Sequence, residues 1–387
     1  MKNYLNFIKL IIIFGSFLFI FTSCLKDDNT IEKHYWSPED YSLLTKYLDL
    51  PTTPQEYDFT FPEHYNGATR SFNKGRATLG RVLFYDKNLS EDNSISCASC
   101  HDQKIAFSDD VAFSEGVQQR RTSRNTLALG SVFSFNEYYG SVTFGRIPFF
   151  WDNRAESVQK QAAMTLGNEN EMDMDMHQVL DRVQDLEYYG PLFKTAFRDD
   201  DIDETKILDA IAVFVNSIGS FDSKYDRALD DYISRNGRTN QFENNFLPML
   251  SESENRGKDL YIQQCGSCHG STISLPGKVS ANNGLDLNYA DKGENGASKF
   301  KIPTLRNITL TGPYMHDGRF ATLSDVVDHY SNGIQNHSAL DADLKTNSGQ
   351  PKKMNFTDQE KEDLIAFMGT FKDDTMINDE RYSDPFK

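Results

Sequence analysis

The chain has 387 residues, a formal charge of −17, 38% hydrophobic and 25% charged residues, and 28 Phe with 18 Tyr. That length suits about two domains, and the mixed, aromatic composition excludes a disordered chain, a collagen and a coiled coil. The acidic balance, with no basic cluster in the chain, argues against nucleic acid as a partner, because such a surface repels a phosphate backbone.

At the N-terminus, Lys2 precedes an apolar run from Leu10 to Phe21, then Thr22-Ser23 and Cys24. A basic start, a short apolar core and small residues at a cleavage point make a secretory signal. The run falls short of the roughly 20 apolar residues of a membrane span. The small residues before Cys24 resemble a bacterial lipoprotein signal, in which residues 1–23 are removed and Cys24 is lipidated. A cleaved soluble form and an uncleaved anchor are the alternatives. Lys26-Asp27-Asp28 resembles a tag that sends some lipoproteins to the cell surface. The expectation is an exported protein, a periplasmic or outer-membrane lipoprotein or one at the cell surface. It would touch membrane only through its lipid anchor, and residues 24–50 read as a polar tether.

The four remaining cysteines form Cys97-Ala98-Ser99-Cys100-His101 and Cys265-Gly266-Ser267-Cys268-His269. Each is C-x-x-C-H, the attachment motif of c-type haem. Two thiols three positions apart on a helical turn reach the two vinyl groups of one porphyrin, and the adjacent His lies under the iron. Zinc pairs normally lie about 15–20 residues apart, and a redox disulfide suits an oxidising compartment, but neither needs a His after both pairs. The flanks repeat: Gly80-Arg81-Val82-Leu83-Phe84 precedes the first motif and Gly257-Lys258-Asp259-Leu260-Tyr261 the second. Two related haem modules are therefore expected, with two covalently bound haem c groups.

Helical spacing dominates between and after the motifs. Ile207, Leu208, Ile211, Phe214, Val215 and Ile218 share one face. The polar stretch from Asp230 to Asn245, with Asn236-Gly237, reads as a linker, which divides the body into domains 51–235 and 236–387. Thr322 can cap a helix with Asp325; Leu323, Val326, Val327 and Tyr330 then share a buried face and His329 points off it. Thr357 and Glu360 form another capping box, followed by an apolar face of Leu364, Phe367, Met368 and Phe371. Strand signals are few, so the class is mainly α. His34, His64, His177 and His337 read as surface or structural residues.

In order along the chain come Leu79-Gly80-Arg81-Val82-Leu83-Phe84, the first haem motif, Arg124-Asn125-Thr126, Trp151-Asp152-Asn153-Arg154-Ala155-Glu156 and Glu171-Met172. The second haem motif, Pro303-Thr304-Leu305-Arg306-Asn307 and Pro313-Tyr314-Met315-His316-Asp317-Gly318 follow. This ordered set resembles the bacterial di-haem cytochrome c peroxidases, more closely their methylamine-utilisation (MauG-type) branch. The resemblance implies two cytochrome c-like haem domains. The N-terminal haem binds hydrogen peroxide and the C-terminal haem passes electrons, with a calcium ion and a Trp between them. Carried over by motif, Glu171 is the acid–base residue with Gln161 beside it, Trp151 is the bridge, and His101 and His269 are proximal iron ligands. Asn125 and the backbone of Thr311 and Pro313 would hold calcium. Taken singly, Trp151 reads as core, Asn125 as a turn residue and Glu171 as a solvated charge; the ordered pattern reverses that for Trp151 and Glu171.

Three departures from the family pattern matter. Many peroxidase-branch members close the resting first haem with a second His after the motif; here that stretch is Ser114-Glu115-Gly116-Val117-Gln118, and no His lies between His101 and His177. The first iron is therefore expected to be open and active without prior reduction. Counted from His316, the usual axial Met position of the second haem falls on Tyr330, where the MauG-type branch has Tyr; Met315 is the competing ligand and a plain core tyrosine the third reading. A Pro often precedes the catalytic Glu, where this chain has Met164-Thr165-Leu166-Gly167. His316 is expected near the second haem in a support role. Three functions stand at this point. One is peroxide reduction with electrons from an external donor, such as a small cytochrome or cupredoxin. Another is oxidation of a partner protein's side chains, and the last is a two-haem electron carrier that is not an enzyme. A homodimer is compatible with each.

Overall fold

The structure, a computed structural model, describes residues 36–65, 67–133, 148–237, 242–273 and 276–387. The signal segment, Cys24 and His34 lie outside these residues. The principal helices are α1 (Pro38–Leu44), α2 (Lys74–Tyr85), α3 (Val158–Leu166), α4 (Met176–Asp185), α5 (Tyr189–Phe197) and α6 (Glu204–Ser217). They continue with α7 (Lys224–Asn236), α8 (Glu252–Gln264), α9 (Leu323–Asp328) and α10 (Asp358–Gly369). Strand among the described residues is confined to two antiparallel pairs, Phe59–Thr60 with Thr69–Arg70 and Ser280–Ala281 with Phe300–Lys301. The mainly α class follows.

The repeated stretch before each haem motif builds the same device twice. A Cβ on Gly80 in α2 would overlap the carbonyl oxygen of Ala210 in α6, and one on Gly257 in α8 would overlap that of Asp363 in α10. Only glycine lets the helix pairs cross at backbone contact. The aromatic residue four positions on packs across each crossing. Phe84 meets Phe214 with ring centroids 5.3 Å apart, and Tyr261 meets Phe367 at 5.4 Å. The basic residue between them is buried and bonded: Arg81 donates to the Ser383 carbonyl at 2.6 Å and Lys258 to the Glu243 carbonyl at 2.8 Å.

Each crossing anchors a core. In α6, Ile207, Ile211, Phe214 and Val215 are buried as their spacing predicts. In α10 the Thr357–Glu360 capping box forms, and Leu364, Phe367 and Met368 are buried with Phe371 just beyond. Helix α7, which carries the expected boundary near 235, buries Tyr225, Ala228 and Leu229 in the second core, while Met376, Ile377 and Tyr382 return to the first. The Pro303–Asn307 stretch ties these parts together. Arg306 makes a bidentate buried pair with Asp226 of α7 (2.7 and 2.9 Å), and Asn307 Nδ2 donates to Ser220 Oγ at 2.9 Å. Breaking such a pair from one side leaves an uncompensated buried charge. His64 is structural: its Nδ1 lies 2.8 Å from Asp230 and its ring is fully buried.

Two expectations need correction. The polar tether expected over 24–50 does not extend through residues 36–50. Trp36, Leu44, Leu48 and Leu50 are buried in the first core, and Asp49 N–H donates to the Pro385 carbonyl at 2.7 Å. Sparse large apolar residues among polar neighbours hid this packing, because their partners lie at the far end of the chain. His329, expected to point off the buried face, is buried. Helix α9 gives way after Asp328 to a π turn over His329–Gly333, and the wider turn changes the angular register. His329 Nε2 then donates to the Asn283 carbonyl at 3.1 Å.

Replacing a mid-helix Gly by Ala ordinarily stabilises by about 1 kcal/mol. At Gly80 and Gly257 the overlap reverses that sign, and each Ala variant should lose about 1–3 kcal/mol. A denaturant midpoint that stays put or rises would show that the helices do not cross so closely.

Candidate active site

The first haem motif starts where Ser96 caps a single helical turn, Cys97–Cys100, closed by His101 N–H to the Cys97 carbonyl at 3.0 Å. In the second, Gly266–His269 repeats the turn, with His269 N–H to the Cys265 carbonyl at 3.0 Å. Both histidines are oriented from outside their motifs. His101 Nδ1 lies 2.8 Å from the Phe107 carbonyl, and His269 Nδ1 lies 3.2 Å from the Pro303 carbonyl. A carbonyl only accepts, so each Nδ1 carries the proton and each Nε2 keeps its lone pair. Burial lowers the pKa of both rings, that of His269 to about 4. Burial also pushes Cys97, Cys100 and Cys265 up to about 12 and raises Cys268.

All six motif side chains open onto one cavity of about 440 Å³. Its wall also holds Gln161, Glu171, Trp151, His316, Met315 and Tyr330, and the expected calcium residues Asn125, Thr311 and Pro313. Among the described residues no three His, Cys, Asp or Glu side chains converge as a metal cluster.

On the side of the first motif, Glu171 follows α3 in a turn built by Asn168. The Asn168 carbonyl accepts Glu171 N–H at 2.9 Å, and Asn168 Nδ2 donates to Glu171 Oε1 at 2.8 Å. Gln161 Nε2 donates to Thr165 Oγ1 at 2.9 Å, and the Thr165 hydroxyl hydrogen-bonds Glu171. Thus Gln161 and Glu171 meet through Thr165. The Ser114–Gln118 stretch lies behind this turn: Val117 N–H donates to the Glu171 carbonyl at 3.0 Å, and a Cβ on Gly116 would overlap the Asn170 carbonyl oxygen. Beyond the two motif histidines, His316 is the one histidine in the cavity wall among the described residues.

Trp151 is sewn to both halves of the chain. Its Nε1 donates to the Asn125 carbonyl at 2.8 Å, its own carbonyl accepts Lys301 N–H at 2.7 Å, and its ring meets His316 edge-on at 6.5 Å. His316 is buried and stacked on Phe300 at 3.7 Å, and its carbonyl accepts Asn125 N–H at 2.9 Å. Asn125 Nδ2 donates to the Val111 carbonyl at 3.1 Å, which turns its amide oxygen elsewhere.

The N-terminal part matches the family description "Di-haem cytochrome c peroxidase" over residues 74–233, and residues 254–372 match "Cytochrome c". The chain is 31% identical over 274 residues to a cytochrome c551 peroxidase of Nitrosomonas europaea, covering 66% of this chain and 72% of that protein. The chain belongs to the di-haem cytochrome c peroxidase family. It is also 29% identical over 313 residues to a methylamine utilization protein MauG of Methylorubrum extorquens, covering 77% and 78% of the two chains. A solved MauG-like protein associated with microbial copper homeostasis superposes with a TM-score of 0.67 at 30% identity, covering 81% of this chain and 94% of that one.

Membership in a di-haem family implies two haem c groups, and the residues present fit them. Each motif pairs two thiols with an imidazole whose Nε2 lone pair is free to bind iron, and the walls supply aromatic and aliphatic side chains around both. Sequence reasoning missed several wall residues. Arg124 is clamped between Asp291 (2.7 Å) and Asp152 (2.7 Å). Lys301 is buried on its strand, donates to the Pro148 carbonyl at 2.6 Å, and has its pKa lowered by burial to about 7. Thr165 and Asn168 were likewise unforeseen, although an Asn three positions before a functional Glu is a recognisable turn former. Asn283, treated below, had no signal at all.

Burial raises the Glu171 pKa, while hydrogen bonds from Thr165 and Asn168 and the charge of Arg154 lower it; burial prevails. The sign for stability follows. A carboxyl raised in the folded state contributes fully below its unfolded pKa, and the contribution is lost as pH rises through the folded value. Glu171→Gln cannot ionise, so it should gain stability relative to the parent as pH rises from about 4. Denaturation across a pH series checks this, and the opposite trend would mean that the hydrogen bonds outweigh burial.

Proposed function

We propose that the protein is a peroxidase that reduces hydrogen peroxide to water, taking two electrons and two protons per peroxide from outside. Haem held by Cys97, Cys100 and His101 would supply an open coordination position for peroxide and a store of oxidising equivalents. The chain's own share is proton handling. Glu171 would take a proton from one peroxide oxygen and deliver it to the other, which would leave as water as the O–O bond breaks, the two electrons coming from the haem. Gln161 and Thr165 orient that carboxyl, and burial raises its pKa above the ordinary carboxylate value. The observation that carries this reading is the half-buried Glu171–Thr165–Gln161 chain in the wall of the cavity onto which the first motif opens.

Cys265, Cys268, His269 and Tyr330 would hold the second haem, which would pass electrons, with Trp151 between the two modules. On this reading residues 51–235 form the peroxidatic module and 236–387 the electron-transfer module. Calcium on Asn125, Thr311 and Pro313 would brace the seam. Export and lipidation at Cys24 would place the enzyme outside the cytoplasm on a lipid anchor. No helix among the described residues is long and apolar enough to cross a membrane. A specific observation favours a second reading, oxidation of a partner protein's side chains. A tyrosine rather than a methionine stands at position 330, in the cavity wall beside the second motif, and the relatives include proteins named MauG.

The test is the spin state of the resting, haem-loaded protein before and after peroxide. An open first iron gives a high-spin ferric signal that peroxide abolishes. Two six-coordinate irons in every redox state would leave only an electron carrier. Glu171→Gln should slow the peroxide reaction by roughly 10²–10⁴-fold; a parental rate would remove Glu171 from the mechanism. Peroxide-dependent oxidation of a reduced small cytochrome or cupredoxin favours the first reading, and consumption of protein side chains without a donor favours the second. Chelation with EDTA should slow electron exchange between the haems if calcium braces the seam, and leave it unchanged if not.

A further inference from the structure

Asn283 lies just past the strand Ser280–Ala281, and its amide orientation is set by its neighbours. Oδ1 accepts from the Tyr289 hydroxyl at 3.3 Å and from Leu285 N–H at 3.3 Å. The NH2 group is thereby turned the other way, where it donates to Met315 Sδ at 3.4 Å and hydrogen-bonds the Tyr330 hydroxyl. The same residue's carbonyl takes the Nε2 proton of His329, so Asn283 grips the π turn that carries Tyr330 by both main chain and side chain. Its base is rigid, because Asn282 is fully buried and donates to the Ser298 carbonyl at 2.6 Å. Met315 is held at φ +75°, a left-handed conformation that a side chain of its kind rarely adopts.

Met315 and Tyr330 are the two competing axial ligands for the second haem, and one amide touches both in the wall of the same cavity. We propose that Asn283 is a positioning residue that selects the axial ligand of the second haem, holding Met315 off the iron and Tyr330 toward it. A sulfur lone pair engaged by an N–H is a poorer metal ligand. An oxygen that accepts an N–H is steadied in its metal-binding form, as partners behind a metal's direct ligands do elsewhere. The two effects act in the same direction. This rests on the reading of Tyr330 as the ligand.

The test uses the haem-loaded full chain with Asn283→Leu, and with Asn283→Asp, which keeps the size and the Leu285 contact but removes the donor. A hydrogen bond of this kind corresponds to about a tenfold change in the ratio of the two ligated forms. Both variants should show a sulfur-to-iron charge-transfer band absent from the parent, and a higher midpoint potential for the second haem. Adding Met315→Leu should abolish the new band. Unchanged spectra and potential in both single variants overturn the proposal. Tyr330→Phe with a parental spectrum and potential would instead show that Tyr330 was never the ligand, removing the underlying reading and the selection with it.

Discussion

Each motif histidine gives its Nδ1 proton to a main-chain carbonyl outside the motif, and the chemistry of the molecule depends on that pair of bonds. The C-x-x-C-H turn places an imidazole but does not choose its tautomer or its rotation. Phe107 and Pro303 do so, at 2.8 and 3.2 Å. Phe107 reaches His101 because the chain turns through left-handed conformations at Ala106 and Phe107. Pro303 reaches His269 because Arg306 and Asn307, just beyond it, are locked to Asp226 and Ser220. A local sequence signature therefore becomes a metal-binding geometry only when distant segments have folded around it.

Glu171 is governed by a second balance. A carboxyl at the surface would be ionised and unremarkable, and one buried without partners would stay protonated over the working range. Glu171 is between these limits: burial raises its pKa while Thr165, Asn168 and Arg154 pull it back. The Ser114–Gln118 loop packs against the backbone of the same turn, with Val117 N–H on the Glu171 carbonyl and Gly116 against the Asn170 carbonyl.

Much of this was legible in the residues themselves. The C-x-x-C-H motifs, the repeated flanks and the capping boxes at Thr322 and Thr357 are local patterns, and local patterns survive in a linear reading. The crossing glycines could be read as a repeat, though not as backbone contacts, because Ala210 and Asp363 lie 130 and 106 residues away from them. Burial of Trp36, Leu44 and Leu48 against the C-terminal segment was illegible for the same reason. Helical spacing alone points His329 off the buried face, but its partner, the Asn283 carbonyl, lies 46 residues earlier in the chain. Asn283 has no helical face or motif, and its importance arises only where three chain segments converge.

The two modules share one helix crossing, one aromatic contact and one imidazole arrangement, so their division of labour must come from what lines the cavity around each iron. On one side the wall presents a carboxyl whose pKa burial raises. On the other it presents a phenol and a thioether competing under one amide. Trp151 touches both halves, its ring through Asn125 and His316 and its main chain through Lys301. A repeat that stayed symmetric in its walls would make two equivalent carriers. Asymmetric side chains on a symmetric scaffold give the two otherwise equivalent motifs different surroundings, and it is there that their roles diverge on the proposed reading.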